Sequence, residues 1–322
     1  MRVTGSWAML AAPVPPDNAL PEVVTPERPL GPAVRVTDMT DLAAQEGTLT
    51  EATRSVAADL VGIRRLGVAF SGGVDSSVLL ALAARVLGPD QVVAVLGVSP
   101  SLAAAERRGA HAVAQQIGVE VVEVETAEGD RAAYRANGPD RCYHCKDELF
   151  ATIDAGVARS LGLDAIAYGE NADDVRRTDR PGARAATEHD VRRPLATAGL
   201  TKADVRTIAR ELGLDVADKP ASPCLASRIP HFEEVTPEKL GQIDRAEEAL
   251  RDLGLGDLRV RHHGDIARLE LTVDDLSRIA ADPLRSDVLR AVRGAGFRYV
   301  TLDLAGMQSG AFTLPLVAVH HG

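Results

Sequence analysis

Hydrophobic positions recur with two periods along the chain after residue 48. Short apolar runs predict strands, and apolar residues three or four positions apart predict helices. The predicted strands are 66–70, 91–98, 120–125 and 164–168. The predicted helices are 48–64, 76–87, 101–117 and 146–162. Because strands and helices alternate strictly, this region is predicted to be an α/β domain whose parallel sheet is covered on both faces.

A different order follows in the last third of the chain. One helix is predicted to begin at Thr201, with Asp204 completing a capping box, and another begins after the N-cap Thr236. The stretch LRVRHHGDIARLEL then predicts two strands joined by a His-Gly-Asp turn. A helix at 274–293 and a strand at 297–304 complete the series. This order predicts a small α+β domain.

The composition of the segments sets the expected domain limits. Residues 1–45 are rich in Pro, Ala and Val without any periodicity, so they are predicted to be a disordered N-terminal extension. The α/β domain is then expected at 46–222 and the smaller domain at 223–312. Residues 313–322 are a C-terminal tail.

Composition and charge narrow the possible functions. The 322 residues include 36 basic and 46 acidic side chains, and the formal net charge of −10 argues against a nucleic-acid partner. Aromatic residues make up 3% of the chain, which also argues against base-stacking surfaces. No apolar run reaches the roughly 20 residues of a membrane span, and no signal peptide is evident. We therefore expect a cytoplasmic protein without a membrane partner.

The stretch AFSGGVDSS at 69–77 lies between a predicted strand and a predicted helix. Glycines at such a turn expose backbone N–H groups, and the helix dipole favours an anion there. No lysine follows the glycines, so the motif is not a Walker phosphate loop. The aspartate indicates that Mg²⁺ accompanies the phosphates. The residues predicted to bind Mg-ATP are Ser71, Gly72, Gly73, Asp75 (to magnesium) and Ser76.

This motif resembles the PP-loop of the ATP pyrophosphatases, which adenylate a carboxylate or carbonyl oxygen and release pyrophosphate. Further segments resemble the LarE family of ATP-dependent sulfur transferases, over about residues 48–312. They include RCYHCKDELF, YGENADD, RRPLATAGLTKADVR, SPCLASRIP and LRVRHHGDIARLEL. The resemblance implies a substrate, pyridinium-3,5-biscarboxylic acid mononucleotide, whose carboxylates become thiocarboxylates for a nickel-pincer cofactor. It also implies a homo-oligomer, with other cofactor-maturation proteins as further partners.

The chain contains three cysteines, too few for a disulfide framework. Cys142 and Cys145 form a CxxC pair, and Cys224 follows in a polar loop near Arg228, which would favour the thiolate. If these three thiolates bind a four-iron four-sulfur cluster, one iron of the cluster has no protein ligand and stays open. A zinc site with His144 as fourth ligand is the alternative.

The LarE resemblance implies two ways of supplying sulfur. In one branch the cysteine matching Cys224 gives up its own sulfur and becomes dehydroalanine. In the other branch three cysteines bind a four-iron four-sulfur cluster. Because all three cysteines are present, the chain resembles the second branch.

Charged residues suggest where the substrate binds. Arg259 and Arg261 lie two apart on a predicted strand, so both face one side and can clamp a phosphate; two solvated surface arginines are the alternative. The family match adds Arg228 and Glu247 as substrate contacts. Lys146 is interpreted either as a phosphate contact or as part of an amphipathic helix.

Two further groups of polar residues are candidate ligands. Asp173 and Asp174 follow a strand end, where ligands bind in parallel sheets, and are predicted to lie near ATP or its magnesium; an N-cap pair for the next helix is the alternative. His262, His263 and Asp265 admit a metal site, but turn chemistry is the simpler interpretation.

These observations predict an ATP-dependent sulfur transferase that uses Cys142, Cys145 and Cys224 for sulfur transfer and Asp75 for the activation step. A PP-loop enzyme that thiolates tRNA is one alternative. A regulator that binds nucleotide without catalysis is another.

Overall fold

The computed structural model describes residues 48–176 and 181–307. The predicted extension at 1–45 and the tail at 313–322 lie outside these ranges, and the proposed limits of the two domains stay predictions.

The first sheet has four parallel strands in the order β3-β2-β1-β4. The strands are β1 (Leu66–Ala69), β2 (Val92–Val98), β3 (Glu120–Glu125) and β4 (Ala165–Tyr168). The chain first builds the sheet outward from β1 through β2 to β3, and then returns to place β4 on the other side of β1. The carboxyl ends of β1 and β4 therefore flank a topological switch point, where open α/β sheets bind ligands.

Ten helices belong to this part of the described chain. They are α1 (Thr48–Asp59), α2 (Val74–Leu87), α3 (Ala104–Ile117), α4 (Ala132–Arg135), α5 (Arg141–Thr152), α6 (Ala158–Ser160), α7 (Ala172–Val175), α8 (Pro181–Glu188), α9 (Pro194–Thr197) and α10 (Lys202–Glu211). A π-helical segment, Ile153–Val157, joins α5 to α6. The predicted capping box at the start of α10 is confirmed.

The second sheet has three strands in the order β5-β6-β7. An antiparallel hairpin pairs β5 (Leu258–His263) with β6 (Ile266–Leu271), and β7 (Tyr299–Leu302) runs parallel to β6. The helices α11 (Pro237–Asp252), α12 (Val273–Ile279) and α13 (Leu284–Gly294) accompany this sheet. The predicted N-cap at Thr236 and the predicted hairpin are confirmed.

Three helix predictions were wrong in their limits. The segment predicted as one helix at 274–293 is divided into α12 and α13, because Pro283 has no backbone N–H and ends the first helix before it. The predicted helix 146–162 begins earlier, at Arg141, and changes to π-helical geometry at Ile153. The predicted helix 48–64 ends at Asp59.

The two sheets have separate hydrophobic cores. The core around α2 and β1 is almost completely apolar and includes Val68, Leu79 and Leu96. The core around α11 and β5 also takes in two residues of the first region, Ala103 and Tyr134. A 3₁₀ turn, Leu225–Arg228, buries Leu225 in that second core and so fixes the segment that follows Cys224.

Candidate active site

The phosphate loop, residues 71–76, joins β1 to α2. Gly72 has a φ of +68°, and a Cβ there would lie 2.7 Å from the Cα of Ala110 in α3. Gly73 is the N-cap of α2 with a φ of −81°, and a Cβ there would meet only the Ser71 Oγ, at 3.4 Å. Gly72 is therefore needed for the turn and its packing, whereas Gly73 leaves the backbone open toward a ligand.

Hydrogen bonds inside the loop hold its shape. The Ser76 hydroxyl accepts from the Ser71 backbone N–H at 3.3 Å and donates to the Gly73 carbonyl at 3.1 Å. The loop after β4 approaches closely, because a Cβ on Gly169 would lie 2.6 Å from the Ser76 backbone nitrogen. The first turn of α2 is thus fixed by the switch point of the sheet.

The Asp75 side chain contacts two residues that the sequence did not single out. Its carboxylate accepts from the Asn171 side-chain amide at 3.0 Å and from the Lys202 ammonium at 2.5 Å. Asn171 lies after β4, and Lys202 is the first residue of α10. These contacts bring a carboxylate and a cation to the entrance of the phosphate loop, as expected for a site that binds a metal-bound polyphosphate.

Asp173 takes part in the same network. One of its oxygens accepts from the Lys202 backbone N–H at 2.9 Å, and the other accepts from Arg176 at 3.2 Å. The N-cap of the next helix, α7, is Asn171, whose side chain accepts from two backbone N–H groups. Asp173 therefore braces the start of α10, and its predicted contact with ATP or magnesium stays a prediction.

A cavity of about 470 Å³ connects the phosphate loop with Cys224. Three cationic residues line its wall: Lys202, Arg206 and Lys219. Arg206 donates to the carbonyls of Ala217 and Lys219, and the Lys219 ammonium binds Glu106 at 2.6 Å. One continuous space therefore extends from the phosphate loop to the cysteine, with cationic side chains along its wall.

The three cysteines lie on two segments that are distant in sequence and contact each other through Arg141 and the Ala226 carbonyl. Cys142 and Cys145 lie in the first turns of α5, and Cys224 precedes the Leu225–Arg228 turn. Cys142 and Cys224 are exposed, whereas Cys145 is partly buried. Burial raises the pKa of Cys145, and the charges of Cys224, Glu128 and Cys142 raise it further. The charges of Cys142 and Cys224 therefore act on Cys145, and the three thiols together are called the cysteine site.

The Arg141 guanidinium interacts electrostatically with these thiols, although the sequence did not single this residue out. Burial alone would lower the pKa of Arg141, but the charges of Cys224 and Cys142 raise it above its ordinary value. The positive group beside the thiols is therefore Arg141, next to Cys142 in sequence.

Among the residues of 48–176 and 181–307, no three His, Cys, Asp or Glu side chains are arranged closely enough to hold a metal ion. Cysteine thiolates are nevertheless the ligand type that iron–sulfur clusters take, and the chain supplies three of them. His144, the alternative zinc ligand, binds Asp140 at 3.1 Å. Iron–sulfur binding stays a prediction.

Arg228 and Glu247 form a buried ion pair beneath the segment 221–230, the cysteine loop. The guanidinium donates to both carboxylate oxygens, at 2.9 and 3.2 Å, and to the carbonyl of Pro223 at 2.5 Å. Glu247 is fully buried and also accepts from Arg251 and from the Val260 backbone N–H. Both residues support the loop, and their predicted contact with substrate stays a prediction.

Arg259 and Arg261 lie on one side of β5, but the alternative of solvated surface arginines is wrong, because both are buried. Arg261 donates to the Ser227 carbonyl at 2.8 Å and to Glu270 at 2.7 Å. Arg259 donates to the Ala221 carbonyl at 3.4 Å, and its pKa is lowered by burial and by the charges of Arg261 and Arg228. The cysteine loop covers this side of the strand, so both arginines contact it.

Two other predicted groups lie away from the cavity. The Lys146 ammonium lies 4.2 Å from the centre of the Tyr168 ring. His262 is buried, with its ring edge against Phe297 and a hydrogen bond to Gln242 at 3.3 Å. His263 accepts from Arg268 at 3.2 Å. Both histidines belong to β5 and precede the turn, and the metal and turn interpretations stay predictions.

The chain is similar to several known proteins. The family model for asparagine synthase matches residues 49–161. A protein of Synechocystis is 44% identical over 76% of this chain and 90% of that protein. Another relative is pyridinium-3,5-bisthiocarboxylic acid mononucleotide synthase of Lactiplantibacillus plantarum, 36% identical over 84% of this chain and 95% of that enzyme.

More distant relatives are tRNA-specific 2-thiouridylases. The one from Gluconobacter oxydans is 33% identical over 62% of this chain and 64% of its own length.

Among the described residues, none of the helices combines the length and apolar character needed to cross a membrane. The phosphate loop at the switch point and the extensive match to a synthase identify the chain as an enzyme of the PP-loop class, and it belongs to the LarE family.

Proposed function

We propose that this enzyme is an ATP-dependent sulfur transferase that converts the carboxylates of pyridinium-3,5-biscarboxylic acid mononucleotide into thiocarboxylates. The observation that carries the proposal is the cavity of about 470 Å³ that is lined both by Asp75 and by Cys224. Activation of a carboxylate and delivery of sulfur need such a shared space, because the activated acyl group must reach the sulfur before water does.

The first half of the reaction takes place at the phosphate loop. A substrate carboxylate oxygen attacks the α-phosphorus of ATP, the bond from that phosphorus to the bridging oxygen breaks, and pyrophosphate leaves with the electron pair. The exposed backbone at Gly73 and the ammonium of Lys202 stabilise the negative charge of the departing group. Asp75 would hold Mg²⁺, which supplies further charge neutralisation when it is bound.

The second half takes place at the cysteine site. A sulfide equivalent adds to the carbonyl carbon of the acyl adenylate, and AMP leaves as the thiocarboxylate forms. Cys142, Cys145 and Cys224 would hold a four-iron four-sulfur cluster, which would supply that sulfide. Arg141 balances negative charge at these thiols, and the cations of the cavity wall hold the anionic nucleotide.

Anaerobic turnover assays test the proposal. Protein with ATP, Mg²⁺, sulfide and the pyridinium mononucleotide is expected to release pyrophosphate and AMP, and to yield thiocarboxylates detectable by mass spectrometry. The variant C224S should retain pyrophosphate release but lose thiocarboxylate formation. Pyrophosphate release that depends on tRNA, and not on the mononucleotide, would contradict the proposal and favour a tRNA-thiolating enzyme.

Two measurements on the same samples test how sulfur is supplied. Iron and acid-labile sulfide in the purified protein, with an unchanged protein mass after turnover, are expected for donation through a cluster. Absence of iron, together with loss of one H₂S from the protein mass, would instead indicate that Cys224 gives up its own sulfur.

A further inference from the structure

The cysteine site needs a device that sets two distant segments against each other. Cys142 and Cys145 are on α5, and Cys224 is on the cysteine loop, roughly eighty residues later in the sequence. Loop closure over such a separation is entropically costly. Fixed contacts between the two segments must therefore determine where Cys224 lies.

Two buried polar residues in front of the CxxC pair make such contacts. Arg141 is 8% exposed, and its Nη1 donates to the Ala226 carbonyl at 2.9 Å and to the Asn137 Oδ1. Asn137 is completely buried, and its Nδ2 donates to the carbonyls of Pro230 at 2.7 Å and Ile229 at 3.3 Å. Both side chains thus bind the backbone that follows Cys224.

The backbone of Asn137 adds to this connection. Its carbonyl accepts from the Phe232 backbone N–H at 3.2 Å and from the His231 ring nitrogen at 3.1 Å. Asn137 has a φ of +54°, in the left-handed region that asparagine enters more readily than most residues. The conformation turns its amide and its carbonyl to the same loop, so one residue binds both ends of the stretch 229–232.

We propose that Arg141 and Asn137 form a latch that holds Cys224 in register with the CxxC pair, with Arg141 as the positioning residue and Asn137 orienting it. The guanidinium is suited to this task because its planar group carries several N–H donors that can bind several acceptors in a fixed geometry. Lysine would keep the charge but lose the fork. The inference rests on the proposed function for its purpose, but the latch itself can be measured without ATP or substrate.

The experiment compares two pairs of thiols in metal-free protein. The variant C145S retains Cys142 and Cys224, which belong to different segments, and C224S retains Cys142 and Cys145 on one helix. Each is treated with dibromobimane, a reagent that bridges two nearby thiols, in the presence of increasing glutathione. The fraction bridged at each glutathione concentration gives the effective concentration of the second thiol, independently of how fast the first one reacts.

R141M is expected to lower the effective concentration for Cys142 and Cys224 about tenfold or more, because loss of a positioning contact releases a preorganised pair. The pair on α5 should change by less than about twofold. The effective concentration in R141K should lie between the values for the native residue and for R141M. N137G should also lower the effective concentration for Cys142 and Cys224, because glycine keeps the positive φ while removing the side-chain amide.

Three outcomes would overturn the proposal. The first is that Cys142 and Cys224 of the C145S protein do not bridge at all. The second is that R141M lowers the effective concentration of both thiol pairs equally, which would indicate altered reactivity. The third is that R141K gives the same effective concentration as the native residue, which would indicate that charge alone matters. Thermal unfolding of each variant checks that it is folded. If R141M does not fold, R141K and N137G decide the question by the same measurement.

Discussion

The phosphate loop and the cysteine site are built in opposite ways. The phosphate loop is six consecutive residues, and its shape follows from one left-handed glycine, two serines and the start of a helix. The cysteine site combines two segments of the chain, and buried guanidinium groups hold the second segment in place. A local motif carries its own geometry, whereas a site assembled from distant residues depends on supports that touch no substrate.

The supports of the cysteine site are electrostatically demanding. Two buried pairs, Arg228 with Glu247 and Arg261 with Glu270, lie below the cysteine loop with each side chain at most 3% exposed. Such pairs gain little net stability over apolar residues, but removal of one partner leaves an uncompensated buried charge. The cysteine site should therefore be sensitive to changes well away from its thiols, and the phosphate loop should not.

The largest effect is expected at Asp75. Replacement with Asn removes the charge that would hold magnesium and that binds Lys202, so pyrophosphate release should fall about 10³-fold, which corresponds to several kcal/mol of transition-state stabilisation. Steady-state pyrophosphate assays measure this. Asp218→Asn, at an exposed surface pair with Arg210, is the matched control and should retain full activity. Full release by D75N would remove Asp75 from the activation step.

Sequence alone predicted the phosphate loop because its chemistry is contiguous. It missed Asn171 and Lys202, which reach Asp75 only because β4 lies beside β1 and α10 begins near the same sheet edge. A signal was present, since Lys202 directly follows a predicted N-cap. Periodicity, however, predicts that a helix exists and not which loop its first residue faces.

The second region was harder to predict for a related reason. The two-residue period correctly placed Arg259 and Arg261 on one side of a strand, but it cannot tell what covers that side. The cysteine loop covers it, so both arginines are buried and donate to its carbonyls, and their predicted contact with a phosphate stays a prediction. Arg141 was missed because its contact with the cysteine loop, at the Ala226 carbonyl, joins residues 85 positions apart and follows from tertiary structure.

A stability measurement on Glu247 tests the dependence on buried charge. Glu247→Ala leaves Arg228 without its carboxylate and should lower the free energy of unfolding by about 3 kcal/mol or more. Its sequence neighbour provides a matched control, since Glu248 forms an exposed pair with Arg108 and Glu248→Ala should cost less than about 1 kcal/mol. Urea denaturation measures both. Equal losses in the two variants would contradict the proposed role of buried charge.

The two glycines of the phosphate loop give a smaller and purely local contrast. Gly72→Ala must adopt a φ of +68° and place a Cβ 2.7 Å from the Cα of Ala110, so it should cost about 2 kcal/mol of unfolding free energy. Gly73→Ala meets only the Ser71 Oγ, at 3.4 Å, and should cost less than about 1 kcal/mol.

Nucleotide binding separates the two glycines further. Gly73 lines the cavity, so G73A should weaken ATP binding more than it weakens the fold. Calorimetric titration with ATP and thermal unfolding of both variants provide the comparison. A G73A protein that is less stable than G72A would show that the loop is not shaped as described.

The smallest effect concerns a half-buried support of α5. His189 binds Asp147 at 2.9 Å and Asp154 at 2.8 Å, linking the end of α8 to α5 and to the π-helical segment. Burial alone would lower the pKa of His189, but the two carboxylates raise it above its ordinary value of 6.5. The contribution of the charged imidazole to stability is thus complete below pH 6.5 and is lost as the pH rises through the raised value.

His189→Gln should therefore cost about 0.5–1 kcal/mol at pH 6 and less at pH 8, because Gln cannot carry the charge that the native residue loses on alkalinisation. His111, which is about half exposed and binds the single carboxylate of Glu123, supplies the matched control, and His111→Gln should cost less at pH 6 than His189→Gln. Urea denaturation at both pH values measures the difference. A cost for His189→Gln that grows with pH would contradict a charged imidazole at this position, and the support of α5 would then depend on packing rather than on charge.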